Sequence, residues 1–167
     1  LYARQQNGKF ILRIEDTDRE RSKKVYEENI LESLEWLGIE YDELYRQSDR
    51  LYEHTAALEK LIAEEKAYVS REEAKDGSGA IKEIVRFKNP GTVVTFSDVL
   101  RGPITMNTSD LGDFVIAKNV QEPLFHLAVV VDDAQMGVTH IIRGEDHIAN
   151  TPRQLLLYDA LGYSRPE

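Results

Sequence analysis

Three carboxylates stand within four residues at the end of the stretch FILRIEDTD, where Glu15, Asp16 and Asp18 follow the apolar run Phe10–Ile14. A second charged group, Arg143-Gly144-Glu145-Asp146-His147, closes the run that begins at Val138. A fixed carboxylate suits an ammonium group or a ribose hydroxyl. A fixed arginine suits a carboxylate or phosphate, because its planar fork donates two parallel hydrogen bonds. The competing reading is local: carboxylates after a strand also sit well at the positive end of the next helix. The pair Asp132-Asp133 would fit metal or acid/base chemistry, but adjacent residues on a helix do not share a face, so an exposed turn is expected. His54, His126, His140 and His147 show no metal-ligand spacing, and His140 reads as a packed or capped side chain. Arg19, Arg21, Lys23 and Lys24 form the densest positive cluster and read as a solvated helix face.

The elements that must hold these groups follow from periodicity. Leu1–Asn7 reads as the end of a helix stopped by Gly8. Lys9–Glu15 reads as a strand of a parallel sheet covered on both faces. Ser22 opens a helix with the stripe Tyr26, Ile30, Leu34, Leu37, closed by Gly38. Tyr41–Gln47 reads as irregular, and Ser48 as the cap of a helix striped by Leu51, Thr55, Leu58 and Ile62. Residues 71–80 read as a mobile loop, with 75–80 the most mobile part. Short β-type runs follow at Ile81–Phe87, Val93–Phe96, Pro103–Asn107 and Asp113–Ala117, punctuated by Asn89-Pro90-Gly91 and Arg101-Gly102-Pro103. Leu124–Met136 reads as a helix, although Ala128–Val131 has the composition of a strand, and Val138–Arg143 reads as a strand. A last helix starts with its cap at Thr151 and Pro152 in the first turn, buries Leu155, Leu156 and Ala160, and stops at Gly162. The map is therefore two α/β halves, 1–66 and 119–167, around a small β-rich insertion, 67–118. In open α/β sheets, ligands sit at the carboxyl ends of strands, so the two charged stretches would share one mouth.

Composition narrows the classes. The chain has 167 residues, is 41% hydrophobic and carries a net charge of −9, enough for a real core and too acidic for general nucleic-acid binding, so any RNA contact must be local. There is no Cys, which excludes disulfides and thiolate metal sites and fits a reducing cytosol. No run of eighteen apolar residues spans a membrane. The chain opens on Leu1 with no Met and is read as an excised fragment.

GKFILRIEDTDRER, then EWLGIEYDE and QSDRLYEHTAALEKLI, resemble the catalytic domain of bacterial-type glutamyl-tRNA synthetase. RGPITM, DFVIAK and VVVDDAQMGVTHIIRGEDHIANTPRQLLLYDALG resemble the same family further along, so the resemblance covers nearly the whole chain; the stretch 71–86 is generic. Glutaminyl-tRNA synthetases are more distant relatives. The resemblance implies a Rossmann-like class I synthetase core divided by an acceptor-stem-binding insertion. It implies that glutamate is activated with ATP to glutamyl-adenylate and transferred to the terminal adenosine of tRNA. Glu15 would hold the substrate ammonium, Arg143 its side-chain carboxylate, and Phe125 would occupy the position where the family has a substrate-contacting tyrosine. Glu145, Asp146 and His147 would line the ATP side; Thr17, Asp18, Arg21 and Asp133 would lie near the tRNA 3′ end. Mg²⁺ would arrive with ATP, and no zinc is expected. The expected partners are tRNA, L-glutamate and ATP, with no membrane, for a monomeric cytoplasmic protein. Adenylation is in-line attack of a carboxylate on a phosphate, which needs positioning and charge neutralisation and no nucleophilic side chain. The alternative is a non-catalytic ligand- or RNA-binding module of the same fold.

Two departures bear on activity. The family's HIGH-type and KMSKS-type signatures, which bind the ATP phosphates, belong before Leu1 and after Glu167. The isolated 167-residue chain is therefore expected to give no glutamate-dependent ATP–pyrophosphate exchange; exchange well above a buffer control would contradict this.

Overall fold

The computed structural model describes residues 1–18, 21–73 and 79–167. Its contacts divide the chain into two compact units, Leu1–Leu51 and Tyr52–Glu167.

The first unit is a β-α-β arrangement preceded by a single helical turn, α1 (Tyr2–Gln5). Strand β1 (Ile11–Ile14) runs parallel to β2 (Glu43–Arg46), with Ile11 opposite Glu43 and Ile14 opposite Arg46. Parallel strands need a long crossover, here helix α2 (Lys24–Trp36). Gly38 follows α2 with φ +65, the left-handed conformation that glycine adopts without strain. After α1, Asn7 takes that role with φ 55, and the Gly8 N–H bonds to the Ala3 carbonyl at 2.7 Å. The helix stop is thus one residue earlier than expected.

Four further expectations fail here. Tyr41–Gln47 is not irregular, because it contains β2; a four-residue strand carries no periodic signal of its own, and its register comes from β1. The helix begins at Lys24 and not at Ser22. The stripe of α2 is not buried: Tyr26 is 55% and Leu37 58% exposed. Every residue of β1 and β2 is half-buried, so the pair is not covered on both faces.

In the second unit, α3 (Leu51–Ala63) buries His54, Ala57, Leu58 and Leu61, an i, i+3, i+4, i+7 face. The expected stripe shares only Leu58 with it, because the helix is turned to bring His54 inward. Strands β3 (Ala67–Glu73), β4 (Ile81–Phe87) and β7 (Phe114–Ala117) form an antiparallel sheet in the order β3-β4-β7. Strands β5 (Val93–Asp98) and β6 (Gly102–Asn107) form a hairpin whose last pair is Asp98 with Gly102. At its tip, Asp98 Oδ1 accepts from the N–H groups of Leu100 and Arg101 at 2.9 and 2.8 Å, an Asx-type turn. Residues 71–73 belong to β3 and not to the loop expected over 71–80; 74–78 lie outside the described residues.

Helices α4 (Phe125–Gln135) and α5 (Thr151–Leu161) complete the core. Leu58, Leu61, Val85, Ile116, Leu127, Val130, Val131, Leu157 and Leu161 form one continuous cluster. Gly162 closes α5 in the left-handed conformation, φ +76. The cap position is Asn150, and Thr151 lies inside the helix. Residues 138–143 are not a strand of a parallel sheet. The Ile141 N–H bonds to the Glu167 carbonyl and the Glu167 N–H to the Thr139 carbonyl, each at 2.8 Å, but no ladder continues them and Ile142 is 77% exposed. His140 is exposed, its Nδ1 2.9 Å from the Thr139 hydroxyl, and is not packed.

Asp132 and Asp133 do not form an exposed turn. Both are buried, because α4 is covered on more than one side. His54 Nε2 on α3 lies 2.8 Å from Asp132 Oδ1, and the Tyr158 hydroxyl on α5 donates to Asp133 Oδ2 at 3.3 Å. Adjacent carboxylates on one helix thus reach two different neighbouring helices. Removing one member of a buried pair strands the other. Asp132→Leu should therefore lower unfolding free energy by about 2–3 kcal/mol. Adding His54→Leu should recover part of that loss. Urea denaturation checks both, and a double variant less stable than the single would contradict the pairing.

Candidate functional site

The charged residues after β1 are engaged locally. Arg13 Nη2 donates to Glu15 Oε1 at 3.2 Å, and Arg21 Nε donates to Asp18 Oδ2 at 2.6 Å. Asp16 accepts the Ser48 N–H at 2.8 Å and the Ser48 hydroxyl at 2.6 Å. Asp16 therefore serves as a remote cap for the short 3-10 helix Gln47–Arg50; Ser48, expected to be the cap, is the capped residue. Thr17, Arg21 and Lys24 are exposed, and Arg19 lies outside the described residues.

The second unit holds the more unusual group. Arg143 is half-buried at the end of the extended stretch before a 3-10 helix, Glu145–Asn150. Its Nη1 donates to Gln154 Oε1 at 2.7 Å and its Nη2 to Thr151 Oγ1 at 2.6 Å. Both acceptors are neutral, and among the described residues Arg143 forms no ion pair. Burial pushes its guanidinium below the ordinary arginine value, with the charge of Asp133 opposing that. The two acids that follow it in the chain lie against other groups: Glu145 pairs with Arg101 at the β5–β6 tip, and Asp146 lies 3.7 Å from His147 Nε2.

Phe125, half-buried in the first turn of α4, lies beside this group. Its ring centroid is 5.4 Å from that of His126 and 6.3 Å from that of His147. His126 is half-buried, its Nδ1 has no hydrogen-bond partner among the described residues, and its pKa is lowered from 6.5 to about 4, first by burial and then by the charges of Arg153 and Arg143. Phe125, Arg143 and His147 are thus brought together in this unit, with Glu145 and Asp146 on its exposed side. Asp133 is buried and bonded to Tyr158, which does not suit direct contact with RNA. Among the described residues, no group of three or more His, Asp or Glu side chains is arranged to hold a metal ion, and no helix is long and apolar enough to cross a membrane.

Sequence reasoning did not single out Thr151, Gln154 or His126 as part of this group. The i, i+3 spacing of Thr151 and Gln154 on a helix directly after an arginine-bearing loop is the signal that could have found the first two.

Comparison with known proteins defines the class. The family model for the catalytic domain of class I tRNA synthetases (E and Q) matches residues 1–77 and 70–167, and the chain belongs to that family. Among curated relatives, the glutamate–tRNA ligase of Hydrogenobaculum sp. (strain Y04AAS1) is 44% identical over 200 aligned positions. That alignment covers 100% of this chain and 43% of the relative. The glutamate–tRNA ligase of Aquifex aeolicus is 46% identical, covering 100% of this chain and 42% of the relative. Among solved structures, a glutamate tRNA ligase from Elizabethkingia meningosepticum, crystallised in complex with its amino acid, superposes with a TM-score of 0.91. It is 30% identical over 99% of this chain and 43% of its own. The chain therefore has the Rossmann-like class I catalytic fold and spans about 43% of the length of these relatives.

The surroundings of His126 make a pH prediction. Its folded pKa is about 4, below the ordinary 6.5, so between these values the unfolded state binds the extra proton. Stability should be full above about pH 6.5 and fall as pH drops toward about 4. His126→Phe should flatten that slope. Urea titrations of both proteins at about pH 7 and about pH 5 measure it; identical slopes would contradict the assignment.

Proposed function

We propose that this chain is the glutamate-binding and adenylate-forming core of an enzyme that activates L-glutamate with ATP and transfers it to the 3′ adenosine of tRNA. The observation that carries the proposal is the half-buried Arg143 guanidinium, oriented by two neutral oxygens and matched by no carboxylate among the described residues. A cation so placed is complementary to the side-chain carboxylate of glutamate and not to the amide of glutamine. Family membership supplies the reaction class.

In this reading Arg143 takes the substrate's side-chain carboxylate through its fork, and Phe125 lines the aliphatic part of the substrate with its ring. The family resemblance assigns the ammonium to Glu15, whose local partner is Arg13. The α-carboxylate then attacks the α-phosphate of ATP, the bond to pyrophosphate breaks, and glutamyl-adenylate forms. Mg²⁺ enters with the ATP as part of the substrate. Glu145, Asp146 and His147 face the nucleotide. Thr17, Asp18 and Arg21 lie toward the tRNA 3′ end, and residues 67–118 form the acceptor-stem-binding insertion between halves 1–66 and 119–167. Asp133, buried against Tyr158, supports the site from inside, and its negative charge favours the protonated Arg143.

Arg143→Gln in the full-length protein keeps a donor and much of the size but removes the charge. Catalytic efficiency for glutamate should fall by the equivalent of about 2–5 kcal/mol, as when one member of a desolvated charge pair is lost. The KM for ATP should change little, and discrimination against glutamine should shrink. An unchanged glutamate-to-glutamine ratio of kcat/KM, with a lowered Tm, would remove Arg143 from the site.

A further inference from the structure

We infer that Thr151 and Gln154 are positioning residues that fix the Arg143 fork and thereby set the preference for an anionic over a neutral substrate side chain; this rests on the reading of Arg143 given above.

The two residues are three apart at the start of α5 and so share a face. Each takes one terminal nitrogen of the guanidinium, at 2.6 Å for the Thr151 hydroxyl and 2.7 Å for the Gln154 carbonyl oxygen. A planar group held at both ends cannot turn out of its plane without breaking a bond. Arginine has five N–H donors and the described residues take two of them, which leaves others to meet a ligand.

The chemical type of the two acceptors matters as much as their position. A hydroxyl and an amide oxygen orient the guanidinium without neutralising it. A carboxylate in either place would form an internal ion pair and cancel the charge that attracts the substrate. The orientation of Gln154 is dictated by this task. Gln154 is 3% exposed, and its Nε2 has no partner among the described residues. The opposite amide orientation would aim an NH₂ group at the guanidinium, donor against donor. Thr151 is a stiff acceptor: its β-branched side chain has few rotamers in a helix, and Pro152 fixes the backbone beside it. Both residues are therefore built to hold one geometry.

The experiment uses the full-length protein and compares Thr151→Val, Gln154→Leu, Gln154→Glu and Thr151→Ser with wild type and with Arg143→Gln. It reads KM for glutamate, KM for ATP, the glutamate-to-glutamine ratio of kcat/KM, and Tm. Thr151→Val and Gln154→Leu should raise the glutamate KM by roughly 10- to 100-fold, the effect of a misplaced positioning group, with the ATP KM little changed. Thr151→Ser should restore values close to wild type. Gln154→Glu should compress the glutamate-to-glutamine ratio most, because it installs the internal ion pair. If Arg143→Gln loses discrimination while Thr151→Val and Gln154→Leu keep wild-type KM and ratio, or only lose Tm, the inference is overturned and the reading of Arg143 stands. If Gln154→Leu does not fold, the Thr151→Val and Thr151→Ser pair decides by the same criterion. If wild type does not use glutamate, the reading of Arg143 fails and this inference fails with it.

Discussion

A cation that has given up part of its hydration needs an anion or a set of oriented dipoles to remain there. Arg143 has the dipoles, in Thr151 and Gln154, and lacks the anion among the described residues. A guanidinium as buried as this is ordinarily paired, because desolvation disfavours its charge. Much of the second unit serves to make that arrangement tolerable. Helix α5, which carries both acceptors, buries Leu155, Leu156, Leu157 and Leu161 in the core, so the acceptors cannot drift. Its Tyr158 bonds to Asp133, whose charge favours the protonated guanidinium from inside the fold. His126 is held neutral near neutral pH by its lowered pKa of about 4, so its ring adds no positive charge beside Arg143 there.

The first unit works on a different principle. Its carboxylates are mostly satisfied within the unit, and only part of their charge is left over. Asp16 holds the loop after β1 against the 3-10 helix that begins at Gln47, through two bonds to Ser48. Asp18 does the same over a shorter span with Arg21, in a pair too exposed to add much stability. Glu15 has, among the described residues, only Arg13, at 3.2 Å, and is exposed. Of the three acids in the stretch, it is the one whose local partner could be exchanged for a ligand's ammonium at small cost. The density of charge there thus has two causes, loop closure by Asp16 and an exposed carboxylate at Glu15.

What the sequence made legible was local. Ile81–Phe87 is a strand over the bounds its composition suggests, and Gly162 and Gly38 take the left-handed conformations that their positions after apolar periodic runs imply. The charges of Arg143 and Glu15 were also visible, since charge type is written in the residue. What was hidden depends on distant partners. Strand β2 exists because β1 lies beside it, and four residues cannot announce that. The stretch 138–143 has strand composition, yet its two backbone bonds go to Thr139 and Ile141 from the chain's last residue, so no ladder forms. Asp132 and Asp133 look like surface residues by type and are buried because His54 and Tyr158 approach from α3 and α5. Thr151 looked like a cap because its neighbour is proline; its hydroxyl is instead spent on Arg143.

The most direct measurement is NMR of the Arg143 guanidinium in the full-length protein, with ¹⁵N-labelled arginine assigned through Arg143→Gln and titrated with L-glutamate or L-glutamine. The hydrogen-bonded geometry predicts that glutamate shifts the Arg143 side-chain resonances and slows rotation of the guanidinium further, while glutamine at equal concentration leaves them nearly unchanged. Equal shifts with both amino acids, or none with glutamate, would contradict the claim that this uncompensated cation reads the substrate's carboxylate.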